Sequence, residues 1–218
     1  MRPSYPVTRT DDIVDTIHGV AVPDPYRWLE DGASEEVRRW TEAQNALTAE
    51  YLSRAPVRAA IRARLESLLT IGALGTPTPV RGRYFYQLRE GTQNQPILYV
   101  RDGLEGADRV LIDPNSLDAA GTTALDWHFP SPDGRLLAYG LSENGSEHSV
   151  LHVMSVDTGA VLTDRIPHTR AASVAWLPDA RGFYYTRYPA TGSVPDGEEA
   201  YHRAVYFHRF RHETYRLC

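Results

Sequence analysis

The sequence has a single cysteine, Cys218. No internal disulfide can form, so the fold has to be held by burial and hydrogen bonding. That cysteine usage fits a reducing, cytoplasmic compartment. No run of about 18 apolar residues is present, which excludes a membrane-spanning helix. An excess of basic charge is also missing. Arg and Lys number 23 against 28 acidic residues, leaving a net charge of −5. A protein that holds nucleic acid by neutralising phosphates needs the opposite sign. Met1-Arg2-Pro3-Ser4-Tyr5-Pro6 has no apolar stretch behind it, so no secretory signal is expected. Asn144-Gly145-Ser146 matches a glycosylation acceptor but, without such a signal, reads as a turn. No cofactor is expected.

What is present begins with Asp24-Pro25-Tyr26-Arg27-Trp28-Leu29-Glu30-Asp31, a proline, two aromatics and four acids or bases in one short stretch. Pro25 fixes its own φ and drives Asp24 towards extended backbone. The stretch is therefore expected to be an ordered, non-helical clip that lays Tyr26 and Trp28 on a surface. It sits in a proline-rich arm, residues 1–33, without sustained periodicity. A helix follows, capped by Ser34, with Glu35 and Glu36 at the positive end of its dipole. Val37, Trp40, Leu47 and Tyr51 form its apolar face. Pro56 suits the first turn of a second helix. That helix is expected to bury Val57, Ile61, Leu65, Leu68 and Leu69 and to carry Arg58, Arg62 and Arg64 outside. Gly72 to Pro79 is a Gly/Pro/Thr linker. The expected domains are 1–72, an arm with a helical hairpin; 73–209, a β domain; and 210–218, a divergent tail.

Beyond the linker the period changes from helical to alternating. Arg83 to Leu88, Ile97 to Val100 and Val110 to Ile112 read as strands separated by turn signals. Short strands continue to His208 with no further helical pattern. Ser131-Pro132-Asp133-Gly134-Arg135-Leu136-Leu137-Ala138-Tyr139 returns as Leu177-Pro178-Asp179-Ala180-Arg181-Gly182-Phe183-Tyr184-Tyr185, and Gly82-Arg83-Tyr84-Phe85-Tyr86 is a degenerate earlier copy. The tyrosines that close the copies, Tyr86, Tyr139 and Tyr185, stand 53 and 46 residues apart. Repeats of about 40–50 residues with four short strands each are those of propeller blades, each burying its faces only against its neighbours. The expected fold is mainly β with an N-terminal α-helical segment: about three blades of a seven-bladed-type β-propeller, an arc rather than a ring. The alternative is a β-sandwich.

Catalytic chemistry has little foothold. The nearest approach to a Gly-x-Ser-x-Gly elbow is Gly140-Leu141-Ser142-Glu143-Asn144, which fails at its last position and has no helix after it. Ser142 reads as a blade-turn residue. His128, His148, His152, His168, His202, His208 and His212 lack an elbow and an orienting acid, so they read as scattered strand and surface residues. His208 and His212 have helical ligand spacing but fall on a strand with no third ligand. Asp11, Asp12 and Asp15 lack the pattern of a calcium loop and read as a solvated cluster. Trp28, Trp40, Trp127 and Trp176 read as packing residues. Neither a catalytic nor a metal-binding set is expected.

The chain resembles the N-terminal part of the prolyl oligopeptidases, serine peptidases that cleave short peptides after proline. The resemblance rests on Asp24 to Asp31, Glu42-Ala43-Gln44-Asn45, Gln93-Asn94-Gln95, Leu98-Tyr99-Val100, Asp113-Pro114-Asn115, Ser131 to Gly134, Leu141 to Ser146 and Gly182-Phe183-Tyr184-Tyr185, in family order and over residues 5 to about 209. It implies that the arm and helices pack on an α/β-hydrolase domain. It also implies a seven-bladed propeller that admits only short peptides to the active site. The hydrolase Ser, Asp and His are not among these residues, so the chain alone is expected to be inactive. The implied partners are short proline-containing peptides and the α/β-hydrolase domain. At Ala171, counting back from Trp176, the family carries a phenylalanine that lines the substrate pocket. A pocket wall is therefore missing here, or the preference is altered. After His208-Arg209 the sequence departs from the family pattern. The competing reading is a non-enzymatic interaction module built on the exposed edges of an open arc.

Overall fold

The computed structural model describes residues 4–210 and, as backbone only, 212–216. The chain divides into two compact units between Leu68 and Leu69.

The first unit opens with an antiparallel hairpin, β1 (Val14–Ile17) and β2 (Val20–Pro23). Within the arm, His18 and Gly19 both take positive φ and close a two-residue turn. The clip was expected to be non-helical, but Arg27–Glu30 forms a 3₁₀ turn. Its helical bonds include Leu29 N–H to the Tyr26 carbonyl at 2.9 Å. Charge pairing holds it in place, since the Arg27 guanidinium bridges Asp24 in the clip and Asp15 in β1. Pro25 constrains only itself and its predecessor, so it leaves the following residues free to turn. Trp28 packs edge-on against Trp40 of helix α1 (Glu35–Ser53), ring centroids 6.4 Å apart. Each indole has an acceptor: Trp28 Nε1 donates to the Arg9 carbonyl at 3.0 Å and Trp40 Nε1 to Thr8 Oγ1 at 2.9 Å. Tyr26 remains exposed. Ser34 caps α1, its Oγ accepting from Val37 N–H at 3.1 Å.

Helix α2 (Arg58–Leu69) carries the expected stripe but does not bury it. Val57, Ile61, Leu65, Leu68 and Leu69 are all exposed, by 42–62% of their surface, and Tyr51 of α1 is 60% exposed. Periodicity specifies that a helix has an apolar face, not which surface covers it.

The second unit consists of three antiparallel sheets, each the meander of a propeller blade. In the first, β3 (Ala73–Leu74) and β4 (Thr78–Val80) both pair with β5 (Arg83–Arg89), followed by β6 (Ile97–Asp102) and β7 (Asp108–Ile112). A four-residue helix, α3 (Pro114–Leu117), comes next. It is too short to show a period, but Asp113 caps it and Pro114 begins it. The second sheet runs β8 (Thr123–Pro130), β9 (Leu136–Glu143), β10 (Val150–Ser155), β11 (Val161–Ile166). The third runs β12 (Val174–Trp176), β13 (Gly182–Arg187), β14 (Ala204–Arg209) and β15 (His212–Arg216). Residues 212–216, in the segment where the sequence diverges, thus supply the outer strand of this sheet.

Two cores lie between these sheets. Phe85, Leu98, Val100 and Ile112 of the first meet Leu125, Leu137, Tyr139 and Met154 of the second. Leu151, Val153 and Ile166 of the second meet Phe183 and Tyr185 of the third. Strand alternation accounts for the division. Along β10, Leu151 and Val153 point to one core and Met154 to the other. Arg83 reinforces the first junction, donating to Asp102 at 2.9 Å and the Gly134 carbonyl at 2.8 Å, and pairing with Asp157. At the second, His208 Nε2 lies 2.6 Å from Asp164 Oδ1, with both side chains largely buried.

The repeat is visible as a repeated turn. Ser131 N–H bonds the Leu136 carbonyl at 2.8 Å, and Leu177 N–H bonds the Gly182 carbonyl at 2.9 Å. Gly134 (φ 71°) and Ala180 (φ 55°) occupy the same left-handed position. Gly140 is required for a different reason. Its strand partner Trp127 lies across it, and a Cβ there would come within 2.3 Å of the indole.

Gly140→Ala is therefore expected to destabilise the chain by about 1–3 kcal/mol, the usual range for forced overpacking, read as a lowered midpoint in urea. Burial holds the imidazoles of His128, His152 and His168 below their usual range, helped at His152 by Arg165 and at His168 by Arg187 and His148. Their charged forms are disfavoured on folding, so the unfolded chain takes up protons first. Their contribution is intact above about pH 6.5 and falls as pH drops through that value. Asp108, held down to about 2 by Arg101 and then by the Tyr86 hydroxyl, acts only in much stronger acid. Melting at about pH 5.5 is expected at a lower temperature than at about pH 7.5. Replacing His128 and His152 with Gln should flatten the difference.

Candidate functional site

The turn before β12 is fixed from below. Ser149 is fully buried, and its carbonyl accepts from Thr169 N–H at 3.1 Å and Thr169 Oγ1 at 2.8 Å. Its hydroxyl donates to Asp126 Oδ2 at 2.5 Å, and Ser142 Oγ donates to Asp126 Oδ1 at 3.0 Å. Asp126 stands where the β8–β9 register slips, which lets its carboxylate collect both hydroxyls. Ser142 was expected in a blade turn. It lies instead within β9, 3% exposed, because the strand runs on to Glu143 before the Asn144-Gly145 turn. Its hydroxyl serves the sheet, and none of the bonds formed by the described residues links it to an imidazole.

On this base Ala171 adopts φ 46°, a costly conformation for a residue with a Cβ, and presents an exposed methyl. Its carbonyl accepts from Arg203, whose guanidinium also reaches Thr186 Oγ1 and lies 5.5 Å from the Tyr188 ring centroid. Arg203 comes from the connection between β13 and β14, residues 188–203, far longer than a tight hairpin turn. Loops of this length inside a compact unit are commonly functional. Serial turns at Ala190–Ser193, Pro195–Glu198 and Glu198–Tyr201 fold it.

Between this loop and the ends of the second sheet is a cleft of about 290 Å³. His148, His168 and Arg170 line one side; Tyr188, Thr191 and Glu199 line the other. Arg170 pairs with Glu147 at 2.6 Å. His148 and His168, expected as scattered residues, converge here. Twenty positions separate them in sequence, and only the path of β10 and β11 brings them together. Spacing carried no sign of the cleft; the 188–203 loop, rich in Gly, Pro and acids, was the available signal.

The other candidates are structurally engaged. Asp11 pairs with Arg9, and Asp15 pairs with Arg27. His128 and His152 flank Tyr139 in one cross-strand row. His202 contacts Glu198 at 2.7 Å. The side chain of His212 lies outside the described residues, as does Cys218. No group of three potential metal ligands occurs among the described residues. Trp176 donates its Nε1 to the Phe129 carbonyl at 3.0 Å and packs on Phe183.

The chain matches the family model described as "Prolyl oligopeptidase, N-terminal beta-propeller domain" over residues 5–214. It is 33% identical over 208 residues to the prolyl endopeptidase of Elizabethkingia meningoseptica, covering 94% of this chain and 29% of that protein. The dual function macrocyclase-peptidase of Amanita bisporigera is 30% identical over 232 residues, with 94% of this chain and 32% of that one covered. A solved prolyl endopeptidase superposes with a TM-score of 0.87 at 39% identity, over 96% of this chain and 31% of its own. Prolyl oligopeptidase B from Galerina marginata, solved with a 35-residue hydrolysis and macrocyclization substrate, superposes with a TM-score of 0.80 at 27% identity, over 99% of this chain and 33% of its own. The 218 residues thus span about a third of the proteins they match and align with their N-terminal propeller portion. With its blade-form sheets and its match from residue 5 to residue 214, the chain belongs to the prolyl oligopeptidase N-terminal β-propeller family.

Proposed function

We propose that these residues are the substrate-gating portion of a serine-type peptidase that cleaves short peptides after proline, and that they have no peptidase activity by themselves. The observation that carries this reading is the state of Ser142. The one serine in a near-elbow sequence is buried in a strand and bonded to Asp126. A serine nucleophile needs an adjacent base and an exposed position at a strand–helix turn. In this reading the chemistry belongs to an α/β-hydrolase domain. In this reading residues 1–72 pack on that domain, 73–209 form the first blades and 210–218 follow them. Ala171 stands in a wall of the substrate passage, and the setting is cytoplasmic. Support for the packing role of 1–72 comes from the uncovered stripe of α2, which includes Ile61 and Leu65.

A second reading, a non-enzymatic interaction module, draws on the same uncovered surfaces. Besides the α2 stripe, a mostly apolar cleft of about 390 Å³ opens on the first sheet, lined by Leu74, Tyr84, Tyr86, Leu88 and Leu104. Exposed patches of this kind attract partners or second copies.

The purified 218-residue chain is expected to release no p-nitroaniline from succinyl-Gly-Pro-p-nitroanilide above the blank. Turnover abolished by an organophosphate serine reagent would overturn the first reading. Size-exclusion chromatography with light scattering is expected to show concentration-dependent association, reduced by Ile61→Glu and Leu65→Glu. A clean monomer at every concentration would remove the support drawn from uncovered surfaces.

A further inference from the structure

Arg187, next in sequence to the cleft-lining Tyr188, is partly buried, and its Nε is fully buried without a hydrogen-bond acceptor. Among the described residues no carboxylate pairs with it; its guanidinium lies 5.7 Å from the Tyr206 ring centroid instead. Arg83, a partly buried arginine at the junction of the first two sheets, has two carboxylates and a carbonyl. Arginine cannot shed its charge to escape desolvation. An uncompensated guanidinium beside a cleft is therefore a standing attraction for an anion.

The surroundings tip the same way. Arg203 also lacks a carboxylate partner among the described residues, being held by the Ala171 carbonyl and Thr186 Oγ1. Glu147 is committed to Arg170 and Glu198 to His202. Glu199 is the one carboxylate lining the cleft, and no cation pairs with it among the described residues. The two guanidiniums adjoin the cleft lining, Arg203 over the Tyr188 ring and Arg187 beside His168, against one lining carboxylate, and Tyr188, His148 and His168 add further polar groups. The charge of Arg187 is felt at His168, whose imidazole is held down by burial first and by Arg187 next.

We propose that the cleft between His168, Arg170 and the 188–203 loop binds a carboxylate of a peptide, with Arg187 as its principal charge partner and Arg203 as a second. The proposal rests on the peptidase reading and narrows it to a preference for acidic peptides. An arginine meets a carboxylate through two parallel N–H···O bonds, and a phosphate in the same way, so the two sources have to be separated by experiment.

The test uses the 218-residue chain and two dansyl tetrapeptides, dansyl-Gly-Pro-Gly-Glu with free carboxylates and dansyl-Gly-Pro-Gly-Gln amidated at its C-terminus. Fluorescence anisotropy is the readout. The acidic peptide is expected to bind about tenfold more tightly, the effect of one charge-assisted contact. Arg187→Met should cut that preference to within about twofold, and Arg187→Lys should retain part of it. Equal affinity for the two peptides overturns the carboxylate site while leaving the peptidase reading in place. Binding of neither peptide counts against both. An Arg187→Met chain that melts like wild type and keeps the tenfold preference also overturns it. Displacement of the acidic peptide by inorganic phosphate at far lower concentration than by acetate, at matched ionic strength, would make the cleft a phosphate site instead.

Discussion

Burial of apolar side chains between successive sheets is the constraint on which the second unit depends. No sheet has a core of its own. The second sheet is the clearest case, because alternate residues of one strand serve different neighbours. Leu151 and Val153 pack towards Phe183 and Tyr185, while Met154 packs towards Phe85 and Leu98. A strand that is apolar on both faces is stable only when covered on both. Stability in this architecture is accordingly a matter of nearest neighbours. A sheet at the end of the series keeps one apolar face open, as the cleft over Tyr84, Tyr86 and Leu88 shows.

Polar groups complete the junctions rather than create them. Arg83 gathers Asp102, Asp157 and the Gly134 carbonyl, and so ties the first sheet to the turns of the second. Asp126 gathers Ser142 and Ser149, and Ser149 passes the constraint on to Thr169. The result is a rigid base under the Ala171 turn and one wall of the charged cleft. Function in this family of scaffolds is carried by loops set on rigid sheets. The 188–203 loop beside Arg187 and Tyr188 has that form.

The first unit follows a different logic. Its clip is held by charge and by indole packing: Arg27 to Asp15 and Asp24, Trp28 on Trp40, Arg9 over the Trp28 ring at 4.8 Å. These contacts order the arm but leave the α2 stripe exposed. The unit is ordered without being self-sufficient in burial.

Much of this was legible in the residues themselves. Alternation located β5, β6 and β7, Ser34 marked the start of α1, and the turn-and-strand segment ending at Tyr86, Tyr139 and Tyr185, repeated near 50-residue spacing, indicated blades. Those features are local, or recur, and local chemistry writes them directly: a cap needs a hydroxyl, a strand needs alternation, a left-handed turn position favours glycine. The β1–β2 hairpin, the 3₁₀ turn of the clip and α3 were less visible, since each is too short to establish a period. Tertiary structure alone decided the rest. It placed Ser142 inside β9 and gave its hydroxyl to Asp126, brought His148 and His168 to one cleft, and left Arg187 without a carboxylate partner among the described residues. Such facts depend on strand register and on which faces meet. A single sequence does not specify them, because the same apolar stripe or the same serine reads identically whether a neighbour covers it or not.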